Sequence, residues 1–351
     1  MTSLLNFFDL VPSEAEQSVQ KWASERGEPA YRARQIFRYL WEHPIPEWSV
    51  ASDLPRRLVD DLAETAPIPR LCLETQQVSA DGTIKNLWRL HDGRAVESVW
   101  IPERRRSTLC ISSQAGCAYA CAFCATGRMG FERNLAAWEI TGQVREAVLD
   151  PQMGLPRNIV FMGMGEPLHN WKEVSKSLTI LNDSRGLNVG ARRITVSTIG
   201  IVPRLRDLAR RPEQFRIAIS LHAALSHRRA ALMPVEKKYP VEELTAALTE
   251  FRKRLTFEYV MIHGANDTRA DADALVCLTK PLHAMVNLLS LHPTEGTGLR
   301  PTSPHDMGVF ASYLRAKGVN VTVRRSRGLD IDAACGQLRI QSKQRRRVNM
   351  E

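Results

Sequence analysis

The sequence contains no run of about 18 apolar residues, so we expect no helix that crosses a membrane. Its first residues, MTSLLNFFDLVPSEAEQ, lack the basic segment and the small-residue cleavage site of a secretion signal. Internal repeats are also missing, and the only biased segment is a polar, basic tail after Arg339, which we expect to be disordered. These absences predict a cytoplasmic protein with no membrane partner.

The sequence is also poor in cysteine, with seven in 351 residues. In a cytoplasmic chain such cysteines are more often reduced, metal-bound or catalytic than joined in a disulfide framework. Four of them, Cys110, Cys117, Cys121 and Cys124, fall within fifteen residues. Cys72 and Cys277 lie in apolar runs, and we expect both to be small buried hydrophobes.

A fourth cysteine is missing from the run Cys117, Cys121 and Cys124. Gaps of three and two residues allow one loop to hold three corners of a 4Fe-4S cube, which leaves one iron for a ligand that is not protein. A zinc site usually needs a second pair of Cys or His ligands, and none lies nearby. Three unrelated thiols remain the other alternative. The spacing resembles the signature of the radical S-adenosylmethionine (SAM) superfamily, in which SAM binds the open iron and is cleaved to a 5′-deoxyadenosyl radical.

Apolar strands alternate with helices from about residue 108 to the end of the chain, which is typical of a parallel sheet covered on both faces. We predict an α/β fold, a partial TIM-like (β/α)6 barrel over residues 106–338. Three helices in residues 1–70 form a predicted accessory domain, residues 71–105 a short β linker with turns at Asp81-Gly82 and Asp92-Gly93, and residues 339–351 a basic tail.

Polar and small residues follow the predicted barrel strands, where barrel enzymes place their active sites. Taken singly, each is as well explained by an ordinary turn. Because they share one rim with the three cysteines, we expect them to contact SAM. They are Gly165, Glu166, Ser197, Ser220, Leu221, His222 and, more weakly, His292.

The formal net charge of +10 and the pI near 9.5 favour a polyanionic partner. One basic run usually means only a solvated face, but this chain has several. We therefore expect the partner to be nucleic acid.

Long segments of the chain closely resemble the RlmN/Cfr family of radical SAM RNA methyltransferases. They are residues 29–37 (PAYRARQIF), 110–116 (CISSQAG), 130–135 (GFERNL), 162–168 (MGMGEPL), 220–223 (SLHA), 266–267 (ND) and 330–338 (DIDAACGQL). The resemblance implies methylation of an adenosine in 23S rRNA, tRNA or both. It also implies two SAM molecules, the 4Fe-4S cluster, RNA as substrate, a reductant such as flavodoxin, and a monomer.

The resemblance also assigns three catalytic residues. Cys335 receives a methyl group, from which a hydrogen atom is then removed, and attaches its methylene carbon to the adenine ring. Cys110 matches the cysteine that closes a transient disulfide with Cys335 to release the product. Glu97 matches a proton acceptor, although the strand pattern alone predicts an exposed side chain.

Two departures from the RlmN pattern raise the alternative of a divergent paralogue with another RNA target. Where the family usually has Asn-Pro after the sixth strand, this chain has His292-Pro293, and where it has Pro-Ile-Asn, this chain has Pro234-Val235-Glu236. Residues 130–134 and 165–167 resemble the enzymes that methylate adenine C2. Residues 197–200 resemble the C8 enzymes of the Cfr type, so C8 methylation is the nearest rival. A non-catalytic iron–sulfur RNA-binding protein is the least favoured alternative.

Overall fold

A computed structural model of the chain describes residues 4–104, 106–251, 254–292, 296–324, 326–333 and 337–338. The first 70 residues form a helical module of α1 (Pro12–Ser24), α2 (Ala30–Trp41) and α3 (Arg56–Thr65). Apolar residues at helical spacing, such as Ile36 and Leu40 of α2, are completely buried. The structure thus has the three helices that were predicted in residues 1–70.

Four antiparallel strands follow the helical module and lead into the main sheet. They are β1 (Cys72–Val78), β2 (Ile84–Arg89), β3 (Ala95–Glu103) and β4 (Arg106–Cys110). The two turns predicted at Asp81-Gly82 and Asp92-Gly93 join the first three strands. Segment 71–105, predicted as a short β linker leading into the barrel, forms strands that extend the main sheet.

The parallel part of the sheet begins at β4. It continues through β7 (Asn158–Phe161), β8 (Ile194–Thr198), β9 (Arg216–Ser220), β10 (Leu255–Met261), β11 (Met285–Ser290) and β12 (Asn320–Arg324), each parallel to the one before. The sheet order runs from β1 to β12 without returning to β1, so the barrel is open. Seven parallel strands need six crossovers, which confirms the predicted partial (β/α)6 architecture.

Helices make all six crossovers. Those between consecutive parallel strands are α5 (Ala137–Leu149), α6 (Trp171–Asn182), α7 (Val202–Arg210), α9 (Val241–Leu248), α10 (Arg269–Thr279) and α11 (Pro304–Ala316), and α8 (Ser226–Leu232) precedes α9. Short 3-10 helices occupy Phe7–Asp9, Trp48–Val50, Ala191–Arg193, Pro234–Lys237 and Leu329–Ile331. None of the helices in the described ranges is both long and apolar enough to reach across a bilayer.

Three short elements were not predicted. The strands β5 (Gln114–Gly116) and β6 (Phe131–Asn134) pair in a separate two-stranded sheet, and α4 (Ala125–Arg128) lies between them in sequence. The predicted burial of Cys72 and Cys277 is wrong, because both are exposed. Cys72 begins an edge strand, and Cys277 lies on the solvent side of α10, whose buried positions include Leu275 and Thr279.

Candidate functional site

A cavity of about 470 Å3 opens at the carboxyl ends of the parallel strands. Most of the residues predicted for the site line it: Cys117, Cys121, Cys124, Gly165, Glu166, Ser197, Ser220, His222 and His292. The barrel thus brings together side chains that are up to 175 positions apart, from 117 to 292. Leu221 is fully buried in the core and is not one of the lining residues.

The loop that carries the three cysteines is framed by the β5–β6 sheet. The Cys117 backbone N–H donates to the Gly130 carbonyl at 3.0 Å. This hydrogen bond joins the start of the cysteine loop to the residue just before β6. Gly116 has a φ of +73°, and a Cβ at this position would lie 2.0 Å from the carbonyl oxygen of Gly130. Only glycine therefore fits where the two strands meet the loop.

The three thiols all line this cavity. Burial, together with the negative charges of Glu166 and Cys124, raises the pKa of Cys117 to about 12. Burial also raises the pKa of Cys121 and Cys124. Within the described ranges, no three His, Cys, Asp or Glu side chains are arranged to hold a single metal ion. The donor set fits a group that bonds each thiolate to a different iron and supplies the missing positive charge.

The segment after β7 packs on the residues that lead into the cysteine loop. A Cβ at Gly163 would lie 2.7 Å from the Ile111 carbonyl oxygen, and one at Gly165, whose φ is +98°, would lie 2.5 Å from Gln114 Cβ. These glycines let two stretches of backbone come together beside the cavity.

The Glu166 carboxylate ties this segment to the end of β8. It accepts hydrogen bonds from the Thr198 hydroxyl at 2.6 Å and from the backbone N–H groups of Ile199 and Leu168 at 2.9 Å. Burial raises the pKa of Glu166 to about 7, although these hydrogen bonds lower it. Much of its acceptor capacity is used within the protein, while the side chain still reaches the cavity.

Ser197 and Ser220 stand side by side at the ends of β8 and β9, with their hydroxyl oxygens 3.5 Å apart. His222 follows in a left-handed conformation with φ of 54°. Its Nδ1 accepts from the Val260 backbone N–H at 3.1 Å, which leaves the Nε2 nitrogen as the proton carrier. Burial, together with the charge of Arg229, lowers the pKa of His222 to about 3, so the ring is neutral. The ring packs edge-on against Phe123 of the cysteine loop, with centroids 4.6 Å apart.

His292, one of the two departures from the family pattern, is half-buried at the cavity wall. Its Nε2 lies 2.5 Å from the Ser326 hydroxyl oxygen, and burial lowers its pKa. Pro293, the next residue in the departing loop, lies outside the described residues.

Glu97 and Cys110 lie on neighbouring antiparallel strands. Because Cys110 pairs with Val99, two residues from Glu97, both side chains belong to the same face of the sheet. Ile101 and Glu103 continue that face and line the cavity, whereas Glu97 and Cys110 do not. Glu97 is 4% exposed, so the prediction that it is exposed is wrong. Glu97 is buried because its side chain belongs to a face of the sheet that the rest of the protein covers.

Cys335 lies outside the described residues, and so does the basic tail 339–351. Ala333 and Leu338, two residues before it and three after it, both line the cavity. Among the described cysteines, Cys72, Cys117, Cys121, Cys124 and Cys277 are free thiols.

The sequence analysis missed two residues of the site region. Glu258 of β10 lines the cavity, where it accepts from the Asn287 side chain at 2.9 Å and burial raises its pKa. Asn266 bonds the carbonyls of His222 and Val260, both at 2.6 Å, and so fixes the turn that carries His222. A charged residue in the otherwise apolar run TFEYVMI was the available signal for Glu258.

Glu236, the second departure, is a buried structural residue. Its carboxylate forms an ion pair with Arg229 and accepts from Ser226 and from the Val241 backbone. Arg229 also donates to the Ile199 carbonyl at 2.8 Å. The glutamate thus supports the wall of the cavity from behind.

Comparison with known proteins gives consistent matches. A model of the Radical SAM superfamily matches residues 111–275. The chain is 52% identical to the probable dual-specificity RNA methyltransferase RlmN of Gemmatimonas aurantiaca, over 99% of this chain and 96% of that protein. It is 44% identical to the dual-specificity RNA methyltransferase RlmN of Geobacter sulfurreducens, over 92% of this chain and 89% of that protein. The crystal structure of a radical SAM methyltransferase from Sphaerobacter thermophilus superposes with a TM-score of 0.89 at 43% identity, covering 95% of this chain and 98% of that one.

Proposed function

Because the chain belongs to the RlmN family of dual-specificity RNA methyltransferases, we propose that it methylates carbon 2 of an adenosine in 23S rRNA, tRNA or both. A ring carbon of adenine offers no lone pair that could attack the methyl group of SAM. A radical route that passes through a cysteine of the protein therefore suits this substrate. The reaction takes place in the cytoplasm, on a monomer that draws electrons from a donor such as flavodoxin.

One observation carries the proposal. The three cysteines of the cluster motif line the same cavity as Ala333 and Leu338, which lie two residues before Cys335 and three after it in the sequence. Part of a catalytic segment more than 200 residues away in sequence thus meets the cysteine loop in a single space. A non-catalytic iron–sulfur protein would have no need of this arrangement.

Cys117, Cys121 and Cys124 hold the 4Fe-4S cluster, and Gly165, Glu166, Ser197, Ser220, His222 and His292 surround SAM. When bound, SAM would supply a methyl group. The cluster and SAM together would supply a carbon radical that removes a hydrogen atom from that methyl group. The neutral His222 ring donates from Nε2, since its Nδ1 is occupied by the Val260 backbone. Leu221 acts only through the backbone of the same turn.

The remaining steps belong to the protein's own groups. Cys335 carries the methyl carbon as a thioether and bonds it to carbon 2 of the adenine. The radical adduct at carbon 2 must give up one electron, for which the cluster would be the acceptor. Glu97, with help from Cys110, accepts the proton that carbon 2 loses. The Cys110 sulfur then bonds to the Cys335 sulfur, and the bond between Cys335 and the product carbon breaks. The product carbon takes up a proton, and an external thiol later reduces the transient disulfide.

The helical module is the part of the chain best suited to hold the RNA backbone. Arg34 and Arg38 are exposed on α2, and the chain carries a net charge of +10. To reach the target base, the enzyme must extract it from its stack. We therefore expect the module to recognise the RNA by its phosphates and its shape more than by its base edges.

Nucleoside mass spectrometry tests the proposal. The chain is expressed in a host that lacks its own adenosine C2 methyltransferase, and 23S rRNA and tRNA are digested separately. We expect 2-methyladenosine with the wild-type chain and none with Cys335→Ala. Detection of 8-methyladenosine would transfer the protein to the C8 enzymes, and unmodified adenosine from a protein with full iron content would refute the proposal.

A further inference from the structure

The turn between β1 and β2 holds the C-terminal segment of the chain, residues 326–333. The Asp330 carboxylate accepts from the Ser79 hydroxyl at 2.5 Å and from the Ala80 backbone N–H at 3.1 Å. These hydrogen bonds lower the pKa of Asp330. The three residues belong to segments that are 250 positions apart in the sequence.

The same turn makes a second, reciprocal contact through Asp81. Its carboxylate accepts from the Gly328 backbone N–H at 3.1 Å and lies 3.8 Å from the Arg327 guanidinium. Burial raises the pKa of Asp81, but hydrogen bonds from Thr83, Gly328 and Ser79 lower it to about 2. The turn and the C-terminal segment thus each supply an aspartate that the other binds.

Shape complements these polar contacts at Gly328, which has a φ of +60°. A Cβ here would lie 2.7 Å from the Ala333 Cβ and 3.0 Å from the Thr83 Cγ2. Thr83 itself is fully buried. The C-terminal segment therefore packs on the turn as closely as its backbone allows.

A buried lysine connects this contact with the proposed proton acceptor. The Lys85 ammonium donates to the Asp332 carbonyl at 3.3 Å and lies 3.9 Å from the Glu97 carboxylate. The Lys85 side chain is 4% exposed and that of Glu97 is 6% exposed. A lysine is almost never buried to this extent without a partner, so these two contacts define its position.

We propose that the turn at residues 79–83 and Lys85 form a positioning site for the methyl transfer, which holds residues 328–332 in a fixed relation to Glu97. The inference rests on the proposed function, because it treats Glu97 and Cys335 as reacting groups. Cys335 follows Asp332 by three residues in the sequence. Reacting groups must be held within fractions of an ångström, and a misplacement of about 1 Å can cost about 100-fold in rate.

The test compares Asp330→Ala and Lys85→Met with Asp183→Ala. Asp183 lies in the turn after α6, where its carboxylate accepts from the Arg185 backbone N–H at 2.9 Å and pairs with the Arg185 guanidinium, so it is a turn aspartate that binds a neighbour in its own turn. Asp330 is exposed, so its replacement leaves folding intact. Single-turnover rates are measured with RNA and SAM saturating, and the KM for RNA is measured separately by varying the RNA concentration under multiple turnover. The unfolding free energy of each variant is measured in urea.

We expect Asp330→Ala and Lys85→Met to lower the rate of adenosine methylation about tenfold or more. The KM for RNA remains that of the wild type, and Asp330→Asn, which keeps one acceptor oxygen, recovers part of the rate. Asp183→Ala keeps the wild-type rate. In a Cys110→Ala background, which retains the RNA on Cys335, the covalent adduct forms more slowly with each of the two variants.

Wild-type rates in both Asp330→Ala and Lys85→Met, from an active parent enzyme, would overturn the inference. So would rate losses that follow the loss of unfolding free energy across all three variants, Asp183→Ala included. A parent enzyme that makes no methyladenosine would instead refute the proposed function.

Discussion

Glu236 and Arg229 form a buried ion pair behind the cavity wall, at a position where the family usually has asparagine. Both side chains are at most 3% exposed, and the arginine also holds the Ile199 carbonyl. A buried guanidinium needs such a partner, because its charge is costly to remove from water. The departure at Glu236 is thus explained by packing and gives no reason to expect a different RNA target.

Glu236→Ala should lower the free energy of unfolding by about 3–5 kcal/mol, because it leaves the Arg229 charge buried and unpaired. Urea denaturation measures the loss. Glu242→Ala, at an exposed position on α9, is the control and should change stability by less than about 0.5 kcal/mol. Equal stabilities for the two variants would contradict the role given to the pair.

His222 should make stability depend on pH. Its pKa is about 3 in the folded protein and about 6.5 when unfolded, so only the unfolded state gains a proton as the pH falls below 6.5. Between pH 7 and pH 5 the wild type should therefore lose about 2 kcal/mol more than His222→Asn, which tolerates the left-handed backbone and cannot titrate. Parallel stability curves for the two proteins would show that the imidazole gains its proton equally in both states.

The β5–β6 sheet is the element that shapes the cysteine loop. It was not predicted, because its strands have only three and four residues and carry polar side chains such as Gln114 and Asn134, which bond each other at 2.8 Å. The long parallel strands were predictable because burial on both faces leaves continuous apolar runs. The local sequence pattern therefore predicted the strands of the barrel. The two strands that frame the cysteine loop could not be predicted in this way, because they form by pairing with each other across the loop.

Two glycines of this frame provide a matched pair of variants. Gly116→Ala places a methyl group against the Gly130 carbonyl, whereas Gly130→Ala meets no atom within 4 Å. Both glycines have positive φ, so alanine at either position should cost about 1–2 kcal/mol in backbone strain. Only Gly116→Ala should also lose most of its iron, as measured by iron and sulfide content per protein. Equal iron contents in the two variants would show that the cysteine loop does not depend on this close approach.

At the scale of the whole molecule, one hydrophobic core runs from the helical module into the barrel. Arg145 of α5 strengthens the junction: it donates to the carbonyls of Ile45 and Pro69, and its guanidinium lies 4.7 Å from the Phe8 ring centre. Arg70 pairs with Glu146 at 2.7 Å beside it. Packing therefore joins the module to the barrel.

We expect the helical module and the barrel to unfold in a single transition. Hydrogen exchange followed by mass spectrometry, at increasing urea concentrations, reports separately on peptides from α2 and from β9. The urea midpoints of the two peptides should coincide. Arg145→Met, which removes the buried hydrogen-bond donors, should change both midpoints by the same amount. A module that exchanges at lower urea than the sheet would be an independent domain.

Contacts over long sequence distances set the limit of prediction at this scale. The three cysteines and the rim residues were placed in one cavity by a general rule of parallel barrels. By contrast, segment 71–105 was predicted only as a short β linker leading into the barrel, and the contacts of Ser79 and Lys85 to a segment near the other end of the chain were not predicted. Neither residue stands out in its local sequence, since a serine in a turn and a lysine in a strand are ordinary. The strand pattern gave the wrong exposure for Glu97 for the same reason.

The central claim is that the product's methyl carbon passes through Cys335. The most direct test supplies SAM with a fully deuterated methyl group to the purified, reduced enzyme and its RNA, and determines the isotopes in the methyladenosine by mass spectrometry. We predict a methyl group with two deuteriums and one hydrogen, because one deuterium is removed while the carbon is on Cys335 and a solvent proton replaces it on release. A methyl group that keeps all three deuteriums would mean direct transfer from SAM and would contradict the account.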